Sequence, residues 1–213
     1  MPDLSKTAII IILDRSGSMQ PIARDMEGGL RAFIEDQKKV PGSATVSLYQ
    51  FNHRYEVCFE NKPLSDVPEI HLRPRGITAL LDAVGRTVNS VGEQLSALND
   101  ADRPGSVVVL VITDGRENAS TKFNKVQIKR MVEHQKEKYR WQFAYLGSDP
   151  STFREAGGIG MAGSSWSASP AGARAVMDAA SRSVDGYRVS RGAGKLDATL
   201  VIDKNIPEAT SGS

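Results

Sequence analysis

Two stretches of the chain are continuously apolar, and each runs directly into an aspartate. Residues 7–13 (TAIIIIL) precede Asp14, and residues 106–113 (SVVVLVIT) precede Asp114. A β-branched run without alternation is typical of a strand that is covered on both faces of a parallel sheet. We therefore predict two central, adjacent strands whose carboxyl ends carry the two aspartates.

The remaining elements are predicted from the spacing of apolar residues. Helical spacing marks four segments, at 21–38, 79–98, 123–138 and 170–187. Shorter runs with strand character lie at 44–51, 54–59 and 140–146. The short link Asn52-His53 between the first two of these runs predicts a hairpin, hence an antiparallel pair. Residues 60–77, which contain three prolines, are predicted to form a loop.

The resulting order, β-α-β-β-α-β-α-β-α, indicates the fold class. Strands that alternate with helices form a mostly parallel sheet with helices on both sides. We predict an α/β protein, three-layered, Rossmann-like and doubly wound, with one antiparallel edge strand. One domain is expected over 1–187. Residues 188–213 are expected to be a C-terminal tail with at most one short strand, at 196–203, before disordered last residues.

Composition narrows the class of protein. The chain has 213 residues, 40% of them apolar and 24% charged, which is typical of a globular domain. A net charge of +2 gives no reason to expect a nucleic-acid partner. The single cysteine, Cys58, excludes an intramolecular disulfide. No apolar run has the length of a membrane span or the form of a signal peptide, so we expect a cytoplasmic protein with no membrane partner.

Polar groups gather at the predicted carboxyl ends of the central strands. Asp14, Ser16 and Ser18 alternate, so in an extended loop their side chains point the same way. Thr78 stands just before a predicted helix, and Asp114 ends the second central strand. Ligands of doubly wound sheets bind at this edge. A set of carboxylates and hydroxyls without nitrogen or sulfur suits a hard cation, Mg²⁺ or Mn²⁺.

These residues resemble the metal-ion-dependent adhesion site of von Willebrand factor type A domains. The similarity rests on Asp14-Arg15-Ser16-Gly17-Ser18, Thr78 and Asp114-Gly115, and it covers residues 5–187. The stretches GITALLDA and VITDGREN are similar to bacterial and phage cytoplasmic members of the family. No family pattern is visible from Arg188 onward.

The resemblance implies a role for each site residue. Ser16 and Ser18 would bind the cation directly, and Thr78 would bind directly or through water. Asp14 and Asp114 would act largely through water. A cation held in this way bridges to an acidic residue of another protein.

We therefore expect a metal-dependent protein-interaction module, without enzymatic activity, whose partner offers a Glu or Asp carboxylate. One alternative is a structural or assembly subunit of a phage or of a bacterial stress or conflict complex. Self-association through Asp203 or Glu208 of the tail would fit that role. Another alternative is a metal-assisted hydrolase. A phosphatase of the haloacid dehalogenase type, however, needs a second aspartate where this chain has Ser16.

Three further features have less specific interpretations. Gly158, Gly160 and Gly163 match a dinucleotide-binding pattern but do not directly follow a predicted strand, so we interpret them as a loop. The stretch Arg116-Glu117-Asn118 is interpreted either as a solvated loop or as a partner contact beside the metal. Asp82 is interpreted as a charge that favours the first turn of its helix.

Overall fold

The computed structural model describes residues 2–148 and 151–207, and in this part of the chain six strands form one sheet. The strands are β1 (Asp3–Asp14), β2 (Ser43–Phe51), β3 (Tyr55–Pro63), β4 (Pro104–Thr113), β5 (Gln142–Gly147) and β6 (Ala162–Ser165). Their order across the sheet is β3-β2-β1-β4-β5-β6, and only β3 is antiparallel to its neighbour. The predicted mostly parallel sheet with one antiparallel edge strand is confirmed.

Helices cover both faces of the sheet. Within the described residues they are α1 (Ala23–Lys39), α2 (Leu80–Ser96), α3 (Lys125–Tyr139), α4 (Thr152–Gly158) and α5 (Pro170–Gly192). One buried cluster joins α1 and α5 to the sheet, and a second joins α2 and α3 to its other face. None of the helices in residues 2–148 and 151–207 combines the length and apolar character that crossing a bilayer requires.

The strand β1 lies at the centre of the sheet because both of its faces are apolar. Ile11 packs in the first cluster and Ile12 in the second, and neither is exposed to solvent. On one side Leu13 pairs with Ile112 of β4, and on the other Asp14 pairs with Phe51 of β2. The carboxyl ends of β1, β2 and β4 therefore meet at one edge, which we call the rim.

The glycine-rich segment differs from the prediction. Gly158 ends α4, Gly160 occupies a turn with φ of 75°, and Gly163 lies in β6. The interpretation as a loop is wrong for α4 and β6. A seven-residue helix and a four-residue strand of small residues show too little periodicity to be recognised. Their formation depends on burial of neighbours such as Ile159, which is 1% exposed.

The last helix runs past its predicted end. We predicted that it ends at 187, and α5 continues to Gly192. Arg188 donates to the backbone oxygen of Gln37 at 2.8 Å, and Arg191 donates to the backbone oxygen of Gly105 at 2.6 Å. Both arginines are buried. The helix therefore crosses the expected domain boundary, because its last two turns are anchored to the body of the fold.

The tail packs against the sheet without forming the predicted strand. Residues 196–203, all of which the structure describes, contain no strand, and the tail makes a single bridge between Asn205 and Ser165 of β6. Ile206 is buried in the core. Asp203 is exposed, whereas Glu208 and the predicted disorder of the last residues lie outside the described part of the chain.

Candidate metal centre

The structure brings the predicted site residues together at the rim. Asp14 is the last residue of β1, and Asp114 directly follows the last residue of β4. Ser16 and Ser18 lie on the turn after β1, which continues as a 3-10 helix over Gly17–Ile22. We call Asp14, Ser16, Ser18, Thr78 and Asp114 the rim cluster.

Hydrogen bonds connect the acidic and hydroxyl members of the rim cluster. The backbone N–H of Ser16 donates to Asp14 Oδ1 at 2.6 Å, which turns the chain directly after β1. The hydroxyl oxygens of Ser16 and Ser18 are 3.0 Å apart. Ser18 Oγ donates to Asp114 Oδ1 at 2.7 Å. The first loop and the end of β4 are thus linked through oxygen atoms.

Thr78 joins the cluster from a third segment of the chain. Because Gly115 has no side chain, there is space between Thr78, Ser18 and Asp14. A Cβ atom added to Gly115 would lie 3.4 Å from Thr78 Oγ1, 3.6 Å from Ser18 Oγ and 3.9 Å from Asp14 Oδ2. Oxygens from the end of β1 with its following turn, and from the segment of Thr78, therefore lie around one point beside the backbone of Gly115. A side chain at this position would occupy that space.

Thr113 is a member of the site that the sequence analysis missed. Its hydroxyl donates to Asp14 Oδ2 at 2.6 Å and accepts the N–H of Gly115 at 3.1 Å. Thr113 thus orients both Asp14 and the turn after β4. The available signal was its position as the polar end of an apolar strand, one residue before Asp114.

The stretch after Asp114 supports Thr78. Asn118 Oδ1 accepts the N–H of Thr78 at 2.9 Å, and the N–H of Asn118 donates to the carbonyl of Thr78 at 3.0 Å. Glu117 Oε2 accepts the N–H of Leu81 at 2.9 Å. The first residues of α2 have no side-chain cap of their own, so Glu117 satisfies an N–H group that the helix leaves free. The structural role of Glu117 and Asn118 was not among the interpretations offered for this stretch.

Asp82 has a similar structural role, in addition to its place in the first turn of α2. Its carboxylate accepts the backbone N–H groups of Thr121, Lys122 and Phe123 at 3.0, 2.9 and 2.9 Å. Burial raises the pKa of Asp82, but these hydrogen bonds outweigh it, and its pKa is lowered overall. Asp82 therefore fixes the loop before α3.

The two carboxyl groups of the rim cluster lack a balancing positive charge. Asp14 is fully buried, and this burial raises its pKa to about 6 even though Thr113 and Ser16 donate hydrogen bonds to it. Burial also raises the pKa of Asp114. Among the described residues neither carboxylate forms an ion pair. A buried carboxylate without a cationic partner is unfavourable, so this site would gain stability from a bound cation.

The chemistry of the donor set fits a hard divalent cation. All side-chain donors of the rim cluster are carboxylate or hydroxyl oxygens, the type that Mg²⁺ and Mn²⁺ prefer. In residues 2–148 and 151–207 there is no group of three or more His, Cys, Asp or Glu that would form a richer metal site. A cation at the rim would therefore depend on the three hydroxyls as well as on the two carboxylates.

Comparison with known proteins bears on the fold. No protein-family model and no curated protein matches the chain. Among solved structures, a von Willebrand factor type A protein from Catenulispora acidiphila is 13% identical with a TM-score of 0.57; the match covers 87% of this chain and 43% of that one. Proximal thread matrix protein 1 from the mussel byssus is 14% identical with a TM-score of 0.59, over 84% of this chain and 46% of that one.

A third structure is of the same mussel protein with a zinc-occupied MIDAS motif, the metal-ion-dependent adhesion site. It is 14% identical with a TM-score of 0.51, over 81% of this chain and 42% of that one. The chain thus spans less than half the length of these proteins. At such low identities the likeness concerns the fold alone. The chain has the fold of a von Willebrand factor type A domain.

Proposed function

We propose that this chain is a metal-dependent protein-interaction module that binds an acidic side chain of a partner at the rim cluster. The observation that carries the proposal is the convergence of Asp14, Ser18 and Thr78 around the open space beside Gly115. The two carboxylates of the cluster have raised pKa values and no cationic partner among the described residues.

The rim cluster would hold Mg²⁺ or Mn²⁺ through Ser16, Ser18, Thr78, Asp14 and Asp114. When bound, the cation would supply an electrophilic position for a carboxylate oxygen of the partner. Thr113 and Asn118 would keep Asp14 and Thr78 in place while the partner binds. A solved mussel protein of this fold carries zinc at its MIDAS motif, which supports occupancy by a divalent ion in general.

We also propose that the chain has no enzymatic activity. A serine nucleophile is activated by a nearby base, most often histidine. Ser18 donates to Asp114, and the hydroxyl of Ser16 contacts that of Ser18. Among the hydrogen bonds of the described residues neither serine hydroxyl has a histidine or lysine partner, which favours a role as metal ligands over a role as nucleophiles.

Manganese binding tests the metal site. We expect one Mn²⁺ per wild-type chain, measured by electron paramagnetic resonance of the free ion. Asp14→Asn should weaken binding by at least about tenfold, because a charged group is removed from the cluster. The matched control is Asp178→Asn, which changes an exposed aspartate on α5. Equal Mn²⁺ binding by both variants would contradict the site.

Water-proton relaxation then tests the partner chemistry. Bound Mn²⁺ that keeps water ligands relaxes solvent protons, and a carboxylate that displaces water lowers this effect. A short peptide with a central glutamate should lower the relaxation rate, whereas the same peptide with glutamine should not. If both peptides give the same result, the site does not select a carboxylate and the proposed partner class is wrong.

A further inference from the structure

A cavity lies beside Arg15, the residue that directly precedes Ser16 in the loop after β1. It has a volume of about 260 Å³. The residues that line it are mostly basic: Arg15, Gln50, Glu56, His71, Arg73 and Arg75. We call this cavity the arginine pocket. None of its lining residues belongs to the rim cluster, and the metal-dependent function proposed above does not use it.

Arg15 is the buried member of the arginine pocket. Its side chain is only 6% exposed, and its Nη2 lies 2.9 Å from Oε2 of Glu56, whose side chain is 53% exposed. Its Nε is buried and has no hydrogen-bond partner among the described residues. A guanidinium group has five N–H donors, and a buried donor without an acceptor is unfavourable. Arg15 therefore has unused capacity to bind an anion.

The segment before Thr78 supplies the other cationic groups. Ile70 and Leu72 are buried in the core, and the alternate residues His71, Arg73 and Arg75 are exposed and line the pocket. In residues 2–148 and 151–207 neither Arg73 nor Arg75 has an ion-pair partner. Two guanidinium groups thus face this cavity without a balancing carboxylate of their own.

Backbone contacts hold this segment against the end of β2 and the first loop. The N–H of Arg75 donates to the carbonyl of Arg15 at 2.9 Å. Gln50 donates to the carbonyl of His71 at 2.8 Å, and Asn52 donates to the carbonyl of Arg75 at 2.7 Å. The backbone beside the arginine pocket is therefore ordered before a ligand binds, which lowers the entropy that binding costs.

Gly76 completes this arrangement through its backbone conformation. Its φ is 76°, and a Cβ atom at this position would lie 2.4 Å from Nδ1 of His53. The carbonyl of Gly76 accepts the N–H of Gly17 at 3.0 Å. The segment that carries Arg73 and Arg75 can pack this closely against the turn between β2 and β3 because residue 76 has no side chain.

Charge identifies the kind of anion. The lining of the pocket holds three guanidinium groups, those of Arg15, Arg73 and Arg75, and one carboxylate, that of Glu56. Two positive charges in the pocket are therefore not balanced by a lining residue. A phosphate monoester carries between about one and a half and two negative charges at neutral pH, and guanidinium groups bind its oxygens in pairs. A single carboxylate would balance only one of these charges.

We propose that the arginine pocket is a binding site for a phosphoryl group. The group could belong to a free phosphate compound or to a phosphorylated side chain of a partner, and both present the same oxygens. Arg73 and Arg75 would bind it from the exposed side, and the guanidinium group of Arg15 would add a positive charge from the buried side. Binding here does not require a metal at the rim cluster.

Calorimetric titration with inorganic phosphate tests the proposal. Protein and buffers are first passed over a chelating resin, so that no metal at the rim cluster can bind the anion. The double variant Arg73→Gln/Arg75→Gln should weaken phosphate binding by about tenfold for each arginine removed. Arg130→Gln, an exposed arginine on α3, is the matched control and should change binding by less than about twofold.

Glu56→Gln should change phosphate affinity in the opposite direction to the Arg73→Gln/Arg75→Gln variant. Glu56 competes with the ligand for Arg15, so loss of its charge should tighten phosphate binding by about threefold. Weaker phosphate binding by Glu56→Gln would contradict the proposed phosphoryl site. So would a loss of phosphate affinity in Arg130→Gln as large as that in Arg73→Gln/Arg75→Gln. Loss of all phosphate binding after metal removal would mean that the anion sits on the metal, which would overturn the pocket and leave the metal site standing.

Two ligands distinguish the sources of the phosphoryl group. One is inorganic phosphate, and the other is a neutral peptide with a single phosphoserine. Tighter binding of the peptide supports a phosphorylated partner, and tighter binding of free phosphate supports a small-molecule ligand. The same peptide with glutamate in place of phosphoserine should bind at least about tenfold more weakly than the phosphopeptide. If both peptides bind measurably and with equal affinity, the pocket is a general acidic site and the phosphoryl assignment is overturned.

Discussion

The rim cluster and the arginine pocket are built from neighbouring residues of one loop, yet their electrostatic needs are opposite. Asp14 is a fully buried carboxyl group without a cationic partner among the described residues. Arg15, the next residue, is a buried guanidinium group with one donor unmet. The first site is suited to a cation and the second to an anion.

The difference between the two regions shows how two consecutive residues at the end of a strand separate opposite charges. Successive side chains of an extended segment point in opposite directions. Asp14 therefore contacts Thr113 on β4, whereas Arg15 contacts Glu56 on β3. Two sites of opposite charge can then lie beside one another at the rim without neutralising each other by direct contact.

The largest expected effect concerns the buried charge of the rim cluster without metal. The pKa of Asp14 is raised from 3.8 to about 6 in the folded protein, so folding favours its protonated form. Between these two pH values the unfolded chain loses this proton while the folded chain keeps it. The metal-free protein should therefore lose up to about 3 kcal/mol of stability, relative to Asp14→Asn, as pH rises from about 4 to about 7.

Urea unfolding of both proteins at several pH values, after metal removal, measures this difference. The variant has no titratable group at position 14, so the shared contributions of other carboxylates cancel. A stability difference that stays constant from pH 4 to pH 7 would mean that Asp14 carries no unfavourable charge. The statement that the rim cluster holds an unbalanced negative charge, opposite to that of the arginine pocket, would then be wrong.

An intermediate effect is expected from filling the space beside Gly115. In Gly115→Ala the new methyl group would lie 3.4 Å from Thr78 Oγ1 and 3.6 Å from Ser18 Oγ, and the backbone there is not in the left-handed region. The fold should tolerate the change, but Mn²⁺ affinity should fall by at least about tenfold, because a methyl group displaces the cation from its ligands. Phosphate binding at the arginine pocket should not change.

Calorimetry with Mn²⁺ and phosphate on the same preparation checks this selectivity. The control is Gly157→Ala, since a Cβ atom there meets nothing within 4 Å. Unchanged Mn²⁺ affinity in the Gly115 variant would show that the cation does not bind in this space. An equal loss of Mn²⁺ and phosphate affinity would show that the two regions are one site.

The smallest expected effect is the influence of the arginine pocket on the metal. Arg73→Gln/Arg75→Gln removes two positive charges near the rim, so Mn²⁺ affinity should rise, by less than about threefold at physiological salt. The increase should become smaller as salt concentration is raised, because the charges interact through solvent. A fall in Mn²⁺ affinity would instead show that these arginines help to order the loop that carries Ser16 and Ser18.

The parts of the fold with strong local patterns were predictable from the sequence. The runs TAIIIIL and SVVVLVIT mark β1 and β4 without reference to any other segment, and each is followed directly by an aspartate of the rim cluster. The hairpin of β2 and β3 also follows from its short link. These predictions succeed because a continuous apolar run requires burial on both faces, whatever its partners are.

Elements that depend on distant contacts were not predicted. The strand β6 is built from small residues and forms because β5 and the bridge to Asn205 flank it. The last turns of α5 contain Arg188 and Arg191, which look like exposed residues in the sequence and are buried against carbonyl groups of other segments. A local pattern cannot identify acceptors that lie more than eighty residues away.

The sequence by itself determined five of the six strands, the order of the main elements along the chain, and the carboxylates and hydroxyls of the rim cluster. Only the tertiary structure showed that Thr113 and Asn118 hold those groups, and that Arg15 meets Arg73 and Arg75 in a separate cavity. The physical reason is that periodicity records which face of a segment is buried. It does not record which segments share that face, and both the supporting hydrogen bonds and the second charge cluster depend on that choice.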